Sequence, residues 1–301
     1  MMTNKRLIYI AGPTGIGKTD LSIKIAKKLK TEIISCDSRQ FYKELKIGTS
    51  PPSNEQLDKV KHHFIHHKSI HDDYNVGKFE KDAINLINSL FLNYDSLILV
   101  GGSGLYADSI LYGINKFPDI PISIKNEINK KYKENGIEYL QKKINKLDPE
   151  YYSNVDRNNS RRLIRALEVI ESSGKSFTFF RKANKKQRAF NTEIIILECD
   201  REILYSKIDK RVDMMIKDGL ENEVFYLREF KNLNTLNTVG YKEFINYFDN
   251  KISYKEAVKK IKQNSRNYAK RQITWNNKYY EALKIDINDN IIANINKIMQ
   301  L

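Results

Sequence analysis

A chain of 301 residues, 41% apolar and 30% charged, is long enough to bury a full core and has the balance of a water-soluble fold. No apolar run approaches the ~20 residues of a membrane span, and MMTNKR leads into a short strand instead of a cleavable leader, so a cytoplasmic protein with no membrane contact is expected. The net charge of +15 suits a polyanionic partner, but only 13 of the 52 basic residues are Arg, and a Lys-rich composition raises charge without implying function. Cys36 and Cys199 have no metal-ligand spacing and suit a reduced compartment.

In chain order, LIYIA (7–11) is a buried strand, and Gly12, Pro13, Thr14, Gly15, Ile16, Gly17, Lys18 and Thr19 follow as G-x-x-x-x-G-K-T. Residues 20–30 make a helix with Leu21, Ile25 and Leu29 on one face. A strand, Gly-rich loop and helix in this order form a phosphate loop. Its N–H groups and the helix N-terminus cradle an anion, Lys18 neutralises phosphate oxygens, and Thr19 can hold Mg²⁺. The motif indicates a pyrophosphate and does not by itself specify ATP.

TEIIS (31–35) is a second strand, closing at Asp37, and SLILV (96–100) a third, followed by Gly101 and Gly102. Asp37 is either a base or metal-placing carboxylate facing the loop, or the N-cap of a helix starting at Ser38. A nucleotide hydrolase would close an apolar strand with a Mg²⁺-placing Asp, where SLILV has Gly-Gly. Asp200, after IIILEC, keeps that alternative open. Alternating strands and helices predict an α/β fold with a parallel sheet, whose ligands bind beyond the carboxyl ends of the strands.

Residues 116–185 contain no convincing strand and are expected to be a helical insertion. Residues 1–115 and 186–301 then form the catalytic core, with a strand at 193–199 and a helical C-terminal part. SRRLIRALEV sets Arg161, Arg162 and Arg165 on one helix, which suits RNA phosphates or a solvated face paired with Glu168. SRNYAKRQITW interleaves Arg266, Lys270 and Arg271 with Tyr268 and Trp275, a mixture that suits phosphate contact or base stacking. All five histidines lie in HHFIHHKSIH (His62, His63, His66, His67, His71), where a polar or packing role is expected over a zinc site.

Together, GPTGIGKT, ISCDSRQFYKELKIGTSPP, HHFI, LVGGSGLY, SRRLIRALEV, KIDKRVDMMIKDGLENEV, TVGYKE and YAKRQITW resemble the bacterial-type tRNA dimethylallyltransferases (tRNA isopentenyltransferases). The resemblance spans residues 12–275 and implies a P-loop kinase-like core with an inserted helical domain that grips the tRNA anticodon stem-loop. It implies an enzyme that moves the dimethylallyl group of dimethylallyl diphosphate to N6 of the adenine 3′ of the anticodon; Mg²⁺ at Thr19 and a monomeric state are expected beside it. Gly12 to Thr19 and Arg211 would then bind diphosphate, with Asp37 and Thr19 catalytic. The tRNA would meet Asp37, Ser38, Arg39, Gln40, Ser103, Arg161, Arg162, Leu163, Ile164, Arg165, Gly240, Tyr241 and Lys242. Ser103 stands where the family has the Thr of Gly-Gly-Thr, and His66 where it commonly has Asp. A small-molecule P-loop kinase is the rival, marked by a need for ATP.

Overall fold

The computed structural model describes residues 5–182 and 186–289, together with Ile295 and Ile298. By internal contacts it divides into a unit of residues 1–112 and 187–301 and a second unit, Gly113–Lys186.

The larger unit is built on six parallel strands in the order β3-β2-β4-β1-β5-β6. β1 (Arg6–Ala11) is central, pairing with β4 (Ser96–Val100) on one side and β5 (Asn191–Glu198) on the other. Next to β4 lies β2 (Ile33–Ser35), then the two-residue edge strand β3 (His62–His63); β6 (Leu283–Asp286) forms the opposite edge. Because both faces of the sheet are covered, the central strands carry continuous apolar runs, Leu7–Ala11 and Leu97–Val100, and do not alternate. Leu7, Tyr9, Ala11, Ile34, Leu97 and Leu99 face one core layer, and Ile8, Ile10, Ile33, Ile98 and Val100 the other.

The first layer is covered by α3 (Val76–Leu90) through Phe79, Ala83 and Ile87, and by α4 (Gly104–Leu111) through Ala107 and Ile110. The second is covered by α1 (Lys18–Leu29) through Leu21, Ile25 and Ala26, and by α9 (Arg201–Lys217) through Leu204 and Ile208. The short helix α2 (Asn54–Lys59) opens with a capping box from Ser53 and Gln56. After α9 come α10 (Leu220–Leu227), two 3₁₀ turns, α11 (Tyr241–Phe248) and the long α12 (Tyr254–Asn276). The edge strands β3 and β6 are too short or too mixed to be legible as strands in sequence, and their assignment comes from pairing with β2 and β5.

The second unit holds α5 (Ile122–Leu147), broken at Gly136 where φ is 67°, then α6 (Pro149–Asn154), α7 (Ser160–Ser173) and α8 (Phe177–Arg181). Its own core joins Ile128, Leu140, Ile144, Tyr151, Leu163, Ala166, Leu167 and Ile170. Asp148 is buried there, and its carboxylate accepts hydrogen bonds from Tyr151 N at 3.0 Å and from Thr178 N and Oγ1 at 2.7 and 2.8 Å. No strand occurs among its described residues. Among the described residues of the whole chain, no helix is long and apolar enough to cross a membrane.

Candidate active site

β1 ends at Ala11, and the loop Gly12–Lys18 turns the chain into α1 at the carboxyl edge of the sheet. Gly17 caps α1 with φ 105°, a conformation only glycine adopts without strain, and no side chain caps the helix. The first-turn N–H groups and the helix dipole are therefore available to an anion. Lys18 Nζ meanwhile donates to the loop's own carbonyls, Gly12 O at 3.0 Å and Pro13 O at 2.9 Å. Burial lowers the pKa of Lys18 to about 8, with Asp37 opposing that shift and Arg211 adding to it. Arg211, from α9, donates through Nη1 to Thr14 Oγ1 (3.1 Å), through Nε to Ser50 Oγ (3.0 Å) and through Nη2 to Thr49 O (3.4 Å). Burial pulls its pKa below the ordinary value as well. Neither Lys18 nor Arg211 forms a salt bridge among the described residues, so two half-buried cations share one site with only neutral hydrogen-bond partners. Such an arrangement is costly until an anion arrives.

Asp37 follows β2 and lies against the end of β4. A Cβ on Gly101 would sit 2.6 Å from Cys36 Sγ and 2.8 Å from Asp37 N, so only glycine permits this approach of the two strand ends. Asp37 Oδ1 accepts from Arg39 N at 3.1 Å and thus closes a turn. No helix begins at Ser38, which removes the N-cap alternative. Ser38 N donates to Ser103 Oγ at 3.0 Å, which ties the two loops together. Gln40 Nε2 donates to Thr49 O and Ser50 O at 3.2 and 3.0 Å, and Arg39 Nη1 to Asn234 O and Thr235 O, each at 3.4 Å.

These groups meet at one cavity of about 970 Å³, with Thr14, Lys18, Thr19, Asp37, Gln40 and Arg211 among its walls. Its remaining lining includes Ile47, Pro51, Pro52, Leu57, Ile65, Met214 and Met215, so a polar anion-binding part and an apolar part belong to the same space. Thr19 and Asp37 offer hard oxygen donors to that space. Such a pair fits a Mg²⁺ held chiefly by the oxygens of a bound diphosphate, the usual way this ion is retained. No cluster of three or more His, Cys, Asp or Glu suited to a metal occurs among the described residues.

Other residues expected at the site fall elsewhere. Tyr241 is 0% exposed, and its hydroxyl donates to Glu223 Oε1 at 2.6 Å, so its side chain is structural and does not reach a base. Gly240 opens α11 and donates its N–H to Glu243 Oε2 at 2.7 Å; Lys242 is exposed. In the second unit Arg161, Arg162 and Arg165 project from α7, with Arg165 Nη1 3.5 Å from Glu168 Oε2. Leu163 is 0% exposed in that unit's core and Ile164 packs beside it, so neither side chain forms a free recognition surface. Arg266 is bound to Asp209 at 2.6 and 2.7 Å, and Trp275 is 37% exposed with Lys278 over its ring. His62 and His63 pair with Val60 O and Glu32, while His67 packs against Phe41, Phe64 and Tyr74.

Three contributors are absent from the roles expected on sequence grounds. Gln272 on α12 accepts from Thr14 N at 2.8 Å and donates to Gly102 O at 2.9 Å, bracing the phosphate loop against the β4 loop. Its signal is a polar residue on a helix face that otherwise buries Ala257, Ile261 and Ala269. Tyr268, one turn earlier, donates its hydroxyl to the same Gly102 O at 3.4 Å; burial and the Asp37 charge push its pKa up to about 12. Glu223 accepts from the backbone N–H groups of Lys46, Ile47 and Gly48 at 2.9, 2.8 and 3.2 Å, holding a loop that lines the cavity.

The IPP transferase family model matches residues 40–279. The chain belongs to the IPP transferase family. A tRNA dimethylallyltransferase of Christiangramia forsetii is 49% identical over 284 residues, 94% of each chain, and one of Flavobacterium psychrophilum is 49% identical over 275 residues, covering 89% of this chain and 90% of its own. Among solved structures, the tRNA isopentenylpyrophosphate transferase of Bacillus halodurans matches with a TM-score of 0.72 and 32% identity, covering 98% of this chain and 95% of its own. A eukaryotic dimethylallyltransferase captured acting on tRNA matches with a TM-score of 0.79 and 27% identity over 95% of this chain and 74% of that one. For a member of the IPP transferase family, the α/β parallel sheet with its phosphate loop is the expected frame.

Proposed function

We infer that this protein is a prenyltransferase that moves the dimethylallyl group of dimethylallyl diphosphate to N6 of the adenine 3′ of the anticodon in tRNA, releasing diphosphate. One observation carries the reading beyond family membership: the unpaired cations Lys18 and Arg211, the Asp37 carboxylate and an apolar wall share a single cavity. A prenyl diphosphate needs both halves of that space, an anion site and a greasy one.

In the proposed reaction the adenine N6 lone pair forms a bond to C1 of the prenyl group as the C1–O bond breaks. An exocyclic amine of this kind is a weak nucleophile, and the proton it sheds passes to the carboxylate of Asp37. The electron pair of the broken bond leaves on diphosphate. Its growing charge is met by Lys18, by Arg211 and by the N–H groups of Gly15 to Thr19, all in place before reaction. Magnesium, held through Thr19 and the diphosphate oxygens, would supply further neutralisation of the leaving group. Reaching the cavity requires the target base to be splayed from its stack, at a cost of a few kcal/mol. Ser38, Arg39, Gln40 and Ser103 surround Asp37 and are proposed to receive that base. The Arg161–Arg165 face of the helical unit is proposed to offset the cost through phosphate contacts on the anticodon stem-loop. The protein is taken to act as a cytoplasmic monomer.

Incubation with tRNA, Mg²⁺ and labelled dimethylallyl diphosphate, in the absence of any nucleoside triphosphate, is the direct test. Label on adenine 3′ of the anticodon is expected. Label transfer that appears only with ATP present, or none at all with ATP hydrolysed instead, would point to the P-loop kinase alternative.

A further inference from the structure

The carboxamide of Gln272 makes one hydrogen bond toward each half of the proposed reaction. On the donor side its Oε1 accepts from Thr14 N at 2.8 Å, and Thr14 Oγ1 receives Arg211 Nη1 at 3.1 Å. On the side of Asp37 its Nε2 donates to Gly102 O at 2.9 Å. Ser103, the next residue, accepts Ser38 N on its Oγ at 3.0 Å, and Ser38 directly follows Asp37. A Cβ on Gly102 would fall 2.1 Å from Gln272 Nε2, so the contact is closer than any other residue at 102 allows.

Gln272 is buried, and the helix that carries it is fixed independently of these loops. Arg266 on α12 binds Asp209 at 2.6 Å and Lys262 binds Asp213 at 2.6 Å, and these two carboxylates flank Arg211 on α9. The helix of Gln272 is thereby joined to the helix of Arg211. A carboxamide held on such a frame sets the phosphate loop and the β4 loop at one separation. Transfer between two bound partners is sensitive to that separation, since a misplacement of about 1 Å can cost on the order of 100-fold in rate.

We propose that Gln272 is a positioning residue that sets the distance between the diphosphate cradle and the Asp37 carboxylate. It thus governs how the prenyl C1 lines up with the amine that attacks it. Gln272 acts through Thr14 and Gly102 and needs no contact with the transferred group. The inference rests on the reaction proposed above.

The test measures single-turnover transfer from dimethylallyl diphosphate to tRNA, alongside donor affinity by calorimetry, on the full chain. Gln272→Leu keeps the bulk of the side chain and removes both hydrogen bonds. Its transfer rate should fall by about 10- to 100-fold, while the donor Kd changes only a few-fold. Gly102→Ala should give the same pattern with the carboxamide intact, by pushing it off the loop, and serves if Gln272→Leu folds poorly. A merely structural loss would multiply with other defects. A positioning loss acts through Asp37, so Gln272→Leu should cost far less in an Asp37→Asn background, where no base is left to align. The inference is overturned if both variants transfer at the wild-type rate, if the donor Kd rises in proportion to the lost rate, or if the defect is undiminished in Asp37→Asn. Absence of any transfer by the wild-type chain would remove the prenyltransferase reading itself, and this inference with it.

Discussion

Two side chains, Asp37 and Lys18, carry the proposed chemistry, and each makes a separate prediction. Asp37→Asn keeps the size of the side chain and its bond to Arg39 N but removes its basicity. Single-turnover transfer should fall by about 10²–10⁴-fold, with donor and tRNA affinities changed far less. A defect seen mainly as weaker Mg²⁺ or donor binding would instead make Asp37 a metal-placing residue. Lys18 predicts a pH dependence. Burial lowers its pKa to about 8 in the free protein, so the folded chain sheds this proton before the unfolded chain does. The unfolded state therefore binds more protons above that pH, and this group's contribution to stability rises as pH climbs from 8 towards the ordinary lysine value. Donor binding runs the other way, since a diphosphate needs the charged form. The Kd for dimethylallyl diphosphate should be flat below about pH 7 and weaken by up to roughly tenfold per unit above pH 8. Calorimetry between about pH 6.5 and 9.5 reads this directly, and a flat profile would remove Lys18 from the diphosphate site.

Elements act here through the loops that they hold. The Lys46–Gly48 segment borders the donor cavity but forms no helix or strand of its own, and its three N–H groups all converge on one carboxylate, that of Glu223 on α10. Tyr241 at the start of α11 donates to the same carboxylate. Its hydroxyl is held well above the ordinary tyrosine range, mostly by burial and then by the Glu223 charge, so it remains a donor at any physiological pH. Glu223→Ala would leave several of these donors without a partner, at a cost on the order of 3 kcal/mol. Thermal unfolding should shift down by several degrees, and KM for the prenyl donor should rise more than kcat falls. Tyr241→Phe removes one donor of four and should cost no more than about 1 kcal/mol. Equal effects of the two substitutions would mean that the loop is held by packing and not by this carboxylate.

At the scale of the whole chain, the proposed assignment of donor chemistry to the sheet unit and tRNA contact to the helical unit is tested by salt. Arg161 and Arg162 are exposed on α7 with no ion pair among the described residues, whereas Arg165 already lies 3.5 Å from Glu168. Removing one phosphate contact should lower the slope of log K against log salt by about 0.9 or somewhat less for RNA. Arg161→Ala is therefore expected to flatten the tRNA salt dependence by close to one unit in filter-binding titrations, and Arg165→Ala by less because its charge is partly spent on Glu168. Prenyl donor affinity should be unchanged in both. An unaltered slope for Arg161→Ala would return this face to ordinary solvated surface.

The central strands, the phosphate loop, the turn to Asp37 and the helical character of residues 116–185 are legible in the amino-acid sequence because each is a local pattern. Continuous apolar runs mark strands covered on both faces, and a Gly-rich turn before a helix has one physical use. The same locality conceals burial. Leu163 and Tyr241 sit inside motifs that otherwise suggest recognition, yet burial at 0% exposure takes their side chains into the core. The edge strands β3 and β6 exist through hydrogen bonds to distant partners, which no window of residues displays. Folding in three dimensions was needed to bring Gln272 across 258 positions to Thr14, Arg211 across 197 to the same residue, and Glu223 to the Lys46 loop. A buried polar group is satisfied by whichever partner the fold delivers, and that partner's position in the chain leaves no trace in local sequence.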